Sequence, residues 1–503
     1  MMQLSQKKGG AILSYVSMVS NVLIKFFYTP LLLRLLGQAE YGLYSLVISI
    51  VGYLAILDFG FGSTVTRYAV KYKTAGDREG LLHLYGTLSV IYIIIGLIAF
   101  AVCAFINLGA EGLFGDSMTN IEVHKLKIMI LLCGVNLLFT FPLQISSSVL
   151  IAYEKFIFKN GIQLIITLTE PIIMVLLLYF ANMKSVGAVV VVTLFNLLRS
   201  FLFYIYAVKK LDYHLALKYF DCSMIKSLLT FSVSMFLLML FEQLQFNTGQ
   251  FVLGMFHGTE TVAVWGVALV FVMNYRSLST AITNVYMPSF MSLAFNRDIA
   301  GINDTVQKMV RMQSYVLVPI LFNFFLFGYQ FITIWAGEAY QGAYYAALII
   351  MVPMTFSLLL DFGYLYQMAI KNLTYRIITL FGGFITAYII IFFIYGITIN
   401  SFAYIMSFSI ILGQILLVAV YIKRNMEIKG KALLLSLIKL WMPIVICTVF
   451  YYYIEFVFRG IFISEILQFI VEVLVYNVLI LLAIRFFSMN EQEKQMLKIK
   501  AKK

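Results

Sequence analysis

Apolar windows of about 20 residues with few or no charges recur from Ala11 to Phe487, and each, wound as an α-helix, is long enough to cross about 30 Å of hydrocarbon. In lipid a backbone must satisfy its own hydrogen bonds, so windows of this length read as spanning helices. Only 12% of the 503 residues are charged and 62% are hydrophobic, whereas a soluble domain carries about 25% charge. The expected fold is therefore all-α: a polytopic membrane protein with no soluble domain. Lys7 and Lys8 precede an apolar run that continues to Leu36 without a small-residue cleavage site. That run is expected to be a retained first span and not a signal peptide.

Polar breaks place spans at 11–36, 40–68, 82–107, 125–152, 160–181, 186–208, 227–256, 262–294, 309–335, 341–370, 374–396, 399–422, 433–457 and 462–487, about fourteen in all. The N-terminal tail, the inner connectors and the C-terminal tail hold 25 of the 36 Lys and Arg, against four on the other side. The positive-inside rule then puts both termini in the cytoplasm. The inner connector 209–226 is the longest of its side and divides an N-terminal lobe, 1–208, from a second lobe, 227–425. Two further helices over 426–487 and a basic tail, 488–503, complete the expected organisation. Leu36-Gly37-Gln38-Ala39-Glu40 after the first span and His257-Gly258-Thr259-Glu260 after the seventh suggest a duplication, as is common among transporters. All seven prolines fall inside the expected spans, where neighbouring helices tolerate the lost hydrogen bond.

Several functions are disfavoured. Cys103, Cys133, Cys222 and Cys447 have no Cys-x-x-Cys spacing, so neither a disulfide framework nor a zinc site is expected. The four histidines form no metal or nucleophile constellation. A phosphate-binding glycine loop of the kind an ATP-driven pump needs is missing. The formal net charge of +13 is dispersed among connectors, which suits membrane topology and argues against nucleic acid.

Three cations, Lys25, Arg199 and Arg276, stand near the middle of apolar windows. A cation there costs at least about 2.5 to 3.5 kcal/mol, so it usually faces water, a partner charge or an anionic ligand. Counting from the hairpin near Lys184 puts Glu170 and Arg199 at equal depth, roughly 22 Å at 1.5 Å per residue. The hairpin near Thr259 likewise levels Glu242 with Arg276. Such pairs could lock a bundle, or serve as gates or coupling sites. Gln243, Asn247 and Gln250 recur at helical spacing beside Glu242, and Arg276, Thr280 and Thr283 align with Asn284 adjacent. The seventh and eighth helices are therefore expected to line an aqueous cleft. Lys25 is level with Gly52 across its hairpin, and Asp58 lies nearer the cytoplasm. An anionic ligand is its expected partner. Asp361 is a further acid within a span.

The stretch LLRLLGQAEYGLYSLVISIVGYLAILDFGFGSTVTRYAVKYKTAGD, from Leu32 to Asp77, resembles the N-terminal part of Wzx-type polysaccharide repeat-unit flippases. These belong to the multidrug/oligosaccharidyl-lipid/polysaccharide exporter superfamily. The Gly-x-x-x-Tyr-Gly hairpin, the Asp-Phe-Gly segment and the following Arg-Tyr carry the likeness. The resemblance implies two six-helix lobes around a central cavity, two extra C-terminal helices, and alternating access. It implies a polyprenyl-diphosphate-linked oligosaccharide moved from the cytoplasmic to the outer leaflet of a bacterial inner membrane, for O-antigen, capsule or a similar polymer. Membrane lipids and polysaccharide polymerase machinery are implied partners. Relatives that flip peptidoglycan precursor use cavity cations on the first and eighth helices, where this chain has Lys25 and Arg276. Glu242 or Asp58 would then bind a returning proton or sodium ion. The alternatives are a cation-coupled drug or metabolite antiporter of the same superfamily, which should depend on cavity acids, and a membrane polymerase or ligase, which usually carries a large outer loop.

Overall fold

The computed structural model describes residues 2–181, 183–211, 213–214, 217–370, 372–428, 430–458, 465–491 and 493–494, with some side chains inside helices, Lys25 among them, left out. Among the described residues every regular element is a helix. In order these are α1 (Met2–Leu36), α2 (Gln38–Leu54), α3 (Phe61–Ala75), α4 (Arg78–Phe114), α5 (Asn120–Ala152), α6 (Phe156–Phe180), α7 (Ser185–Leu211) and α8 (Cys222–Phe295). There follow α9 (Ile299–Trp335), α10 (Gly342–Leu359), α11 (Asp361–Ala369), α12 (Thr374–Tyr395), α13 (Ile399–Ser409), α14 (Leu417–Asn425), α15 (Gly430–Phe458) and α16 (Glu465–Ala483). Eleven stretches are long and apolar enough to cross a membrane, and Phe26–Leu36 and Thr374–Ile390 are shorter apolar helices. All seven prolines lie inside helices.

The chain divides into two compact units, Met1–Gly266 and Val267–Lys503. The sequence places a lobe boundary earlier, in the 209–226 connector. In the structure the first part of α8 groups with the first unit because its polar side chains bond to α2. The Gln250 amide donates to Ser45 Oγ at 2.6 Å, and Tyr53 and Thr248 share a hydroxyl contact. Glycine makes that approach possible. A Cβ at Gly42 would sit 1.8 Å from the Thr259 carbonyl oxygen, and one at Gly52 would sit 2.6 Å from Asn247 Nδ2.

The duplication suggested by the glycine hairpins extends to the backbone. Gly37 has φ 78° and ψ 171°, and Gly258, which interrupts α8, has φ 75° and ψ −174°. Both values are open only to glycine. Further along each half, Asp77 caps α4 by accepting from the Gly80 amide at 2.7 Å, and Asp298 caps α9 by accepting from the Gly301 amide at 3.0 Å. An aspartate at this position satisfies one of the orphan donors at a helix start.

In the second unit, Phe290, Val306, Met309, Phe362, Leu365 and Val418 belong to one apolar core. A second core joins α9, α15 and α16 through Val318, Phe327, Leu440, Ile444, Tyr476 and Ile480. The segment after α16 is fastened back to α9. Arg311 donates from Nε and Nη2 to the two Glu493 carboxylate oxygens at 2.8 and 2.7 Å, and from Nη2 to the Ser488 carbonyl at 3.0 Å.

Candidate functional site

The second pass of the chain is not one helix. α2 ends at Leu54, a tight turn covers Ala55–Asp58, and Phe59 (φ 50°) and Gly60 (φ 68°) are left-handed before α3 begins. A left-handed phenylalanine costs about 1 to 3 kcal/mol and needs surroundings that hold it. Here the Phe59 ring stacks on Phe236 with centroids 4.4 Å apart and planes at 19°. The break brings α3 into the wall of a cavity.

That cavity has a volume of about 760 Å³. Gly62, Thr66 and Arg67 of α3 line it, with Gln144, Ser147 and Ser148 of α5, Lys159 and Gln163 of α6, and Arg199, Ser200 and Phe203 of α7. Three cations and no aspartate or glutamate face it among the described lining residues. Arg199 is held by neutral acceptors: its Nη2 donates to Asn196 Oδ1 at 2.7 Å and its Nη1 to Gln163 Oε1 at 3.3 Å. Amide oxygens satisfy the guanidinium without cancelling its charge. Arginine in a partly dehydrated pocket bonds phosphate through paired N–H donors, and lysine adds a point charge. The arrangement suits a multivalent anion with hydroxyl and amide groups around it.

Asp58 lies just behind this wall. Its Oδ1 accepts from the Tyr92 hydroxyl at 2.6 Å and from the Gln144 amide at 3.4 Å. Glu170 lies within electrostatic reach of Arg199, Tyr28 and Tyr44. Among the described residues, however, Arg199 closes no ion pair with it, and the contacts of Arg199 go to Asn196 and Gln163 instead. The side chain of Lys25 lies outside the described residues; its backbone is in α1. Asn160 on α6 donates to the Gly10 carbonyl at 2.8 Å and to Ser14 Oγ at 2.7 Å. Continued along the two helices, that register levels Lys25 with Glu170 and Pro171, an acid that counting within its own hairpin does not reach.

Glu242 and Arg276 fall in different compact units. The polar face around Glu242, expected to line a cleft, packs in part on α2, with Glu242, Gln243, Asn247 and Thr248 half-buried. Asn247 bonds to Gln243, both close on Gly52 of α2, and Gln250 is buried against Ser45. Arg276 shares the electrostatic surroundings of Asp361 with Arg376, whose guanidinium lies 5.4 Å from the Tyr364 ring centroid. Asn284 is exposed on α8, while Thr283 is buried and accepts from Gln313 at 3.0 Å.

Sequence reasoning misses Arg67, Lys159, Gln144 and Gln163 as cavity residues. Lys159 counts there as an inner-connector charge, but α6 begins at Phe156 and carries it into the wall. Depth along a span is legible in a sequence; the direction a residue faces among four helices is not.

Known proteins agree with this architecture. The MurJ lipid II flippase in an inward closed conformation superposes with a TM-score of 0.71 at 15% identity, over 94% of this chain and 97% of that one. An inward-facing multidrug resistance MATE family transporter of the MOP superfamily superposes at 0.59 and 14% identity, over 84% and 98%. These likenesses establish the fold. The uncharacterized membrane protein EpsK of Bacillus subtilis (strain 168) is 22% identical over 334 residues, 64% of this chain. The matched region spans 63% of that relative, just under two thirds of its length. A family model described as polysaccharide biosynthesis protein matches residues 7–294, more than half of the chain, and this protein belongs to that family.

Proposed function

We propose that this protein is a flippase for polyprenyl-diphosphate-linked oligosaccharide repeat units. It carries them by alternating access from the cytoplasmic to the outer leaflet of a bacterial inner membrane, both termini being cytoplasmic. The product feeds a surface polysaccharide such as O-antigen or capsule, in concert with polymerase machinery. The observation that carries this reading is the cavity of the first unit, where Arg67, Lys159 and Arg199 converge with no acid in the described lining. Cationic drugs would find no counter-charge there, so the antiporter alternative is disfavoured. Lys25 and Arg276 are further cations for the diphosphate along its path. Protons or sodium ions are the proposed coupling species, with Glu242, Glu170, Asp58 and Asp361 as the acids available to them.

The test is complementation of a deletion strain with variants matched for membrane abundance. A hydrogen bond to a charged group contributes about 1.5 to 3 kcal/mol, or roughly 10- to 150-fold in affinity. Arg67→Gln, Lys159→Gln and Arg199→Gln are each expected to lower surface polysaccharide and to raise lipid-linked repeat units on the cytoplasmic face. Lys439→Gln, on an exposed face of α15, should have no such effect. Normal polysaccharide from all three cavity variants would overturn the proposal.

A further inference from the structure

The two halves of the chain repeat at a constant spacing, and one exposed face keeps its geometry while changing its chemistry. The offset of 221 residues that takes Gly37 to Gly258 also takes Asp77 to Asp298. It carries α4, Arg78–Phe114, onto α9, Ile299–Trp335, end for end over 37 residues. Positions related by it therefore lie at equal distances along equal helices. Near the end of α4 stands Leu108, 82% exposed, and His124 is exposed early in α5. Their counterparts are Tyr329 in α9, 41% exposed, and Tyr345 in α10, 54% exposed. Both halves leave the same two positions uncovered, and only the second fills them with tyrosine.

These tyrosines belong to a fixed array. The Tyr345 ring lies 5.0 Å from that of Tyr344, at 72°, and 6.2 Å from that of Tyr329, at 59°. Tyr329 and Tyr344 meet edge-on at 5.9 Å. Hydrogen bonds hold two of the rings: the Tyr344 hydroxyl donates to the Phe325 carbonyl at 2.8 Å, and the Tyr329 hydroxyl to Gln341 Oε1 at 2.7 Å. Gln341 in turn donates through Nε2 to Thr333 Oγ1 at 3.3 Å, and its amide has a second N–H to offer. Aromatic faces set beside an amide suit a pyranose ring, whose C–H bonds pack on the rings while its hydroxyls exchange hydrogen bonds with amide and phenol. Tyrosines also anchor helices at membrane interfaces. The repeated fold does not require an anchor at this depth, because Leu108 stands there in the first half, and an anchor has no need to commit its hydroxyl to Gln341.

We propose that Tyr329, Tyr345 and Gln341 form a saccharide-binding subsite that receives the sugar headgroup of the cargo as it leaves the protein; this rests on reading the protein as a flippase for lipid-linked oligosaccharides. The turn between α9 and α10, residues 336–341, contains no Lys or Arg and belongs to the connectors that the positive-inside rule assigns to the outer face. A polyprenyl-linked saccharide released there keeps its tail in hydrocarbon and its sugars in the headgroup layer. Tyrosine, with an apolar face and a polar tip, meets the sugar at that boundary. None of the three side chains is charged, so the subsite binds sugar and leaves the diphosphate to the cations.

The probe is the free oligosaccharide released by mild acid from the lipid-linked repeat units of the host strain; it carries no phosphate. Binding to the full-length purified protein in detergent is read by saturation-transfer NMR. Wild type should bind. Tyr329→Leu and Tyr345→Leu should each weaken binding by roughly 2- to 13-fold, the loss of one aromatic contact. Tyr329→Leu installs the residue that the first half carries at the matched position, so its melting temperature should not change. Should a leucine variant not fold, Gln341→Asn, which matches Asn120 and draws the amide away from Tyr329, should weaken binding likewise. Tyr345→Trp, which keeps an aromatic face, and Arg199→Gln should bind as wild type does. No binding by wild type, or binding indifferent to the leucine and asparagine variants, would overturn the proposal and leave the tyrosines as interfacial anchors. Binding lost in Arg199→Gln and kept in the leucine variants would put the sugar in the cavity and overturn it as well. Normal surface polysaccharide from Arg67→Gln, Lys159→Gln and Arg199→Gln removes the flippase reading instead, and saccharide binding that depends on Tyr329 and Tyr345 would survive that result.

Discussion

Arg199 shows how a charge can be kept available in a membrane protein. Its partners are the Asn196 and Gln163 side-chain oxygens at 2.7 and 3.3 Å, and neither carries charge. Gln163→Glu would replace an amide oxygen with a carboxylate at that distance. Arg199 would then be neutralised within the wall, and the cavity would lose one of three cations. Transport is expected to fall about as far as in Arg199→Gln, while thermal stability is maintained. Gln163→Leu, which removes the acceptor without adding charge, should cost less transport. Measured flux and melting temperature of the two variants separate charge neutralisation from lost positioning. The sequence makes Arg199 and Glu170 legible as residues of equal depth. It does not reveal that Asn196, one turn earlier on the same helix, and Gln163, across on α6, hold the guanidinium, because depth says nothing of azimuth.

At the scale of elements, hydropathy locates the passes, and the glycine hairpins disclose the repeat. The break between α2 and α3 is not legible in the same way. Its residues, Asp58-Phe59-Gly60, continue an apolar window, and only tertiary contacts such as the Phe59–Phe236 stack reveal why a left-handed phenylalanine is tolerated there. The fastening of the C-terminal segment is equally hidden, since Arg311 and Glu493 are far apart in sequence. Partial burial raises the Glu493 carboxyl, but hydrogen bonds from Arg311, from the Asn490 amide and from Tyr315, with the charge of Arg311, outweigh it and hold the group below its ordinary value. A carboxyl depressed in the folded state contributes stability above its unfolded pKa, about 4.3 for glutamate, and loses it as pH falls through the lower folded value. Protection of the 489–491 and 493–494 amides against hydrogen exchange, taken relative to the intrinsic rate at each pH, should therefore be high at neutral pH and fall below about pH 4. Glu493→Gln should be unprotected at both, and acid-insensitive protection in wild type would show that the ion pair does not secure the segment.

For the whole molecule, the governing quantity is the charge moved from one face of the membrane to the other. By sequence the cations of the chain are concentrated in the tails and in alternate connectors, Lys159 among them, and the cavity of the first unit holds two more, Arg67 and Arg199, within the bundle. An inside-negative potential drives an anion outward, with a gain of about 2.3 kcal/mol per elementary charge per 100 mV. A diphosphate carrying two net charges gains about twice that. Each charge neutralised or accompanied by a cation removes its share. Flux of a lipid-linked diphosphate through reconstituted protein should accordingly rise when a potassium diffusion potential makes the cytoplasmic face negative, and fall when the sign is reversed. Equal flux at both signs of potential would mean that the cargo crosses fully compensated, and the cationic cavity would then need another explanation than charge selection.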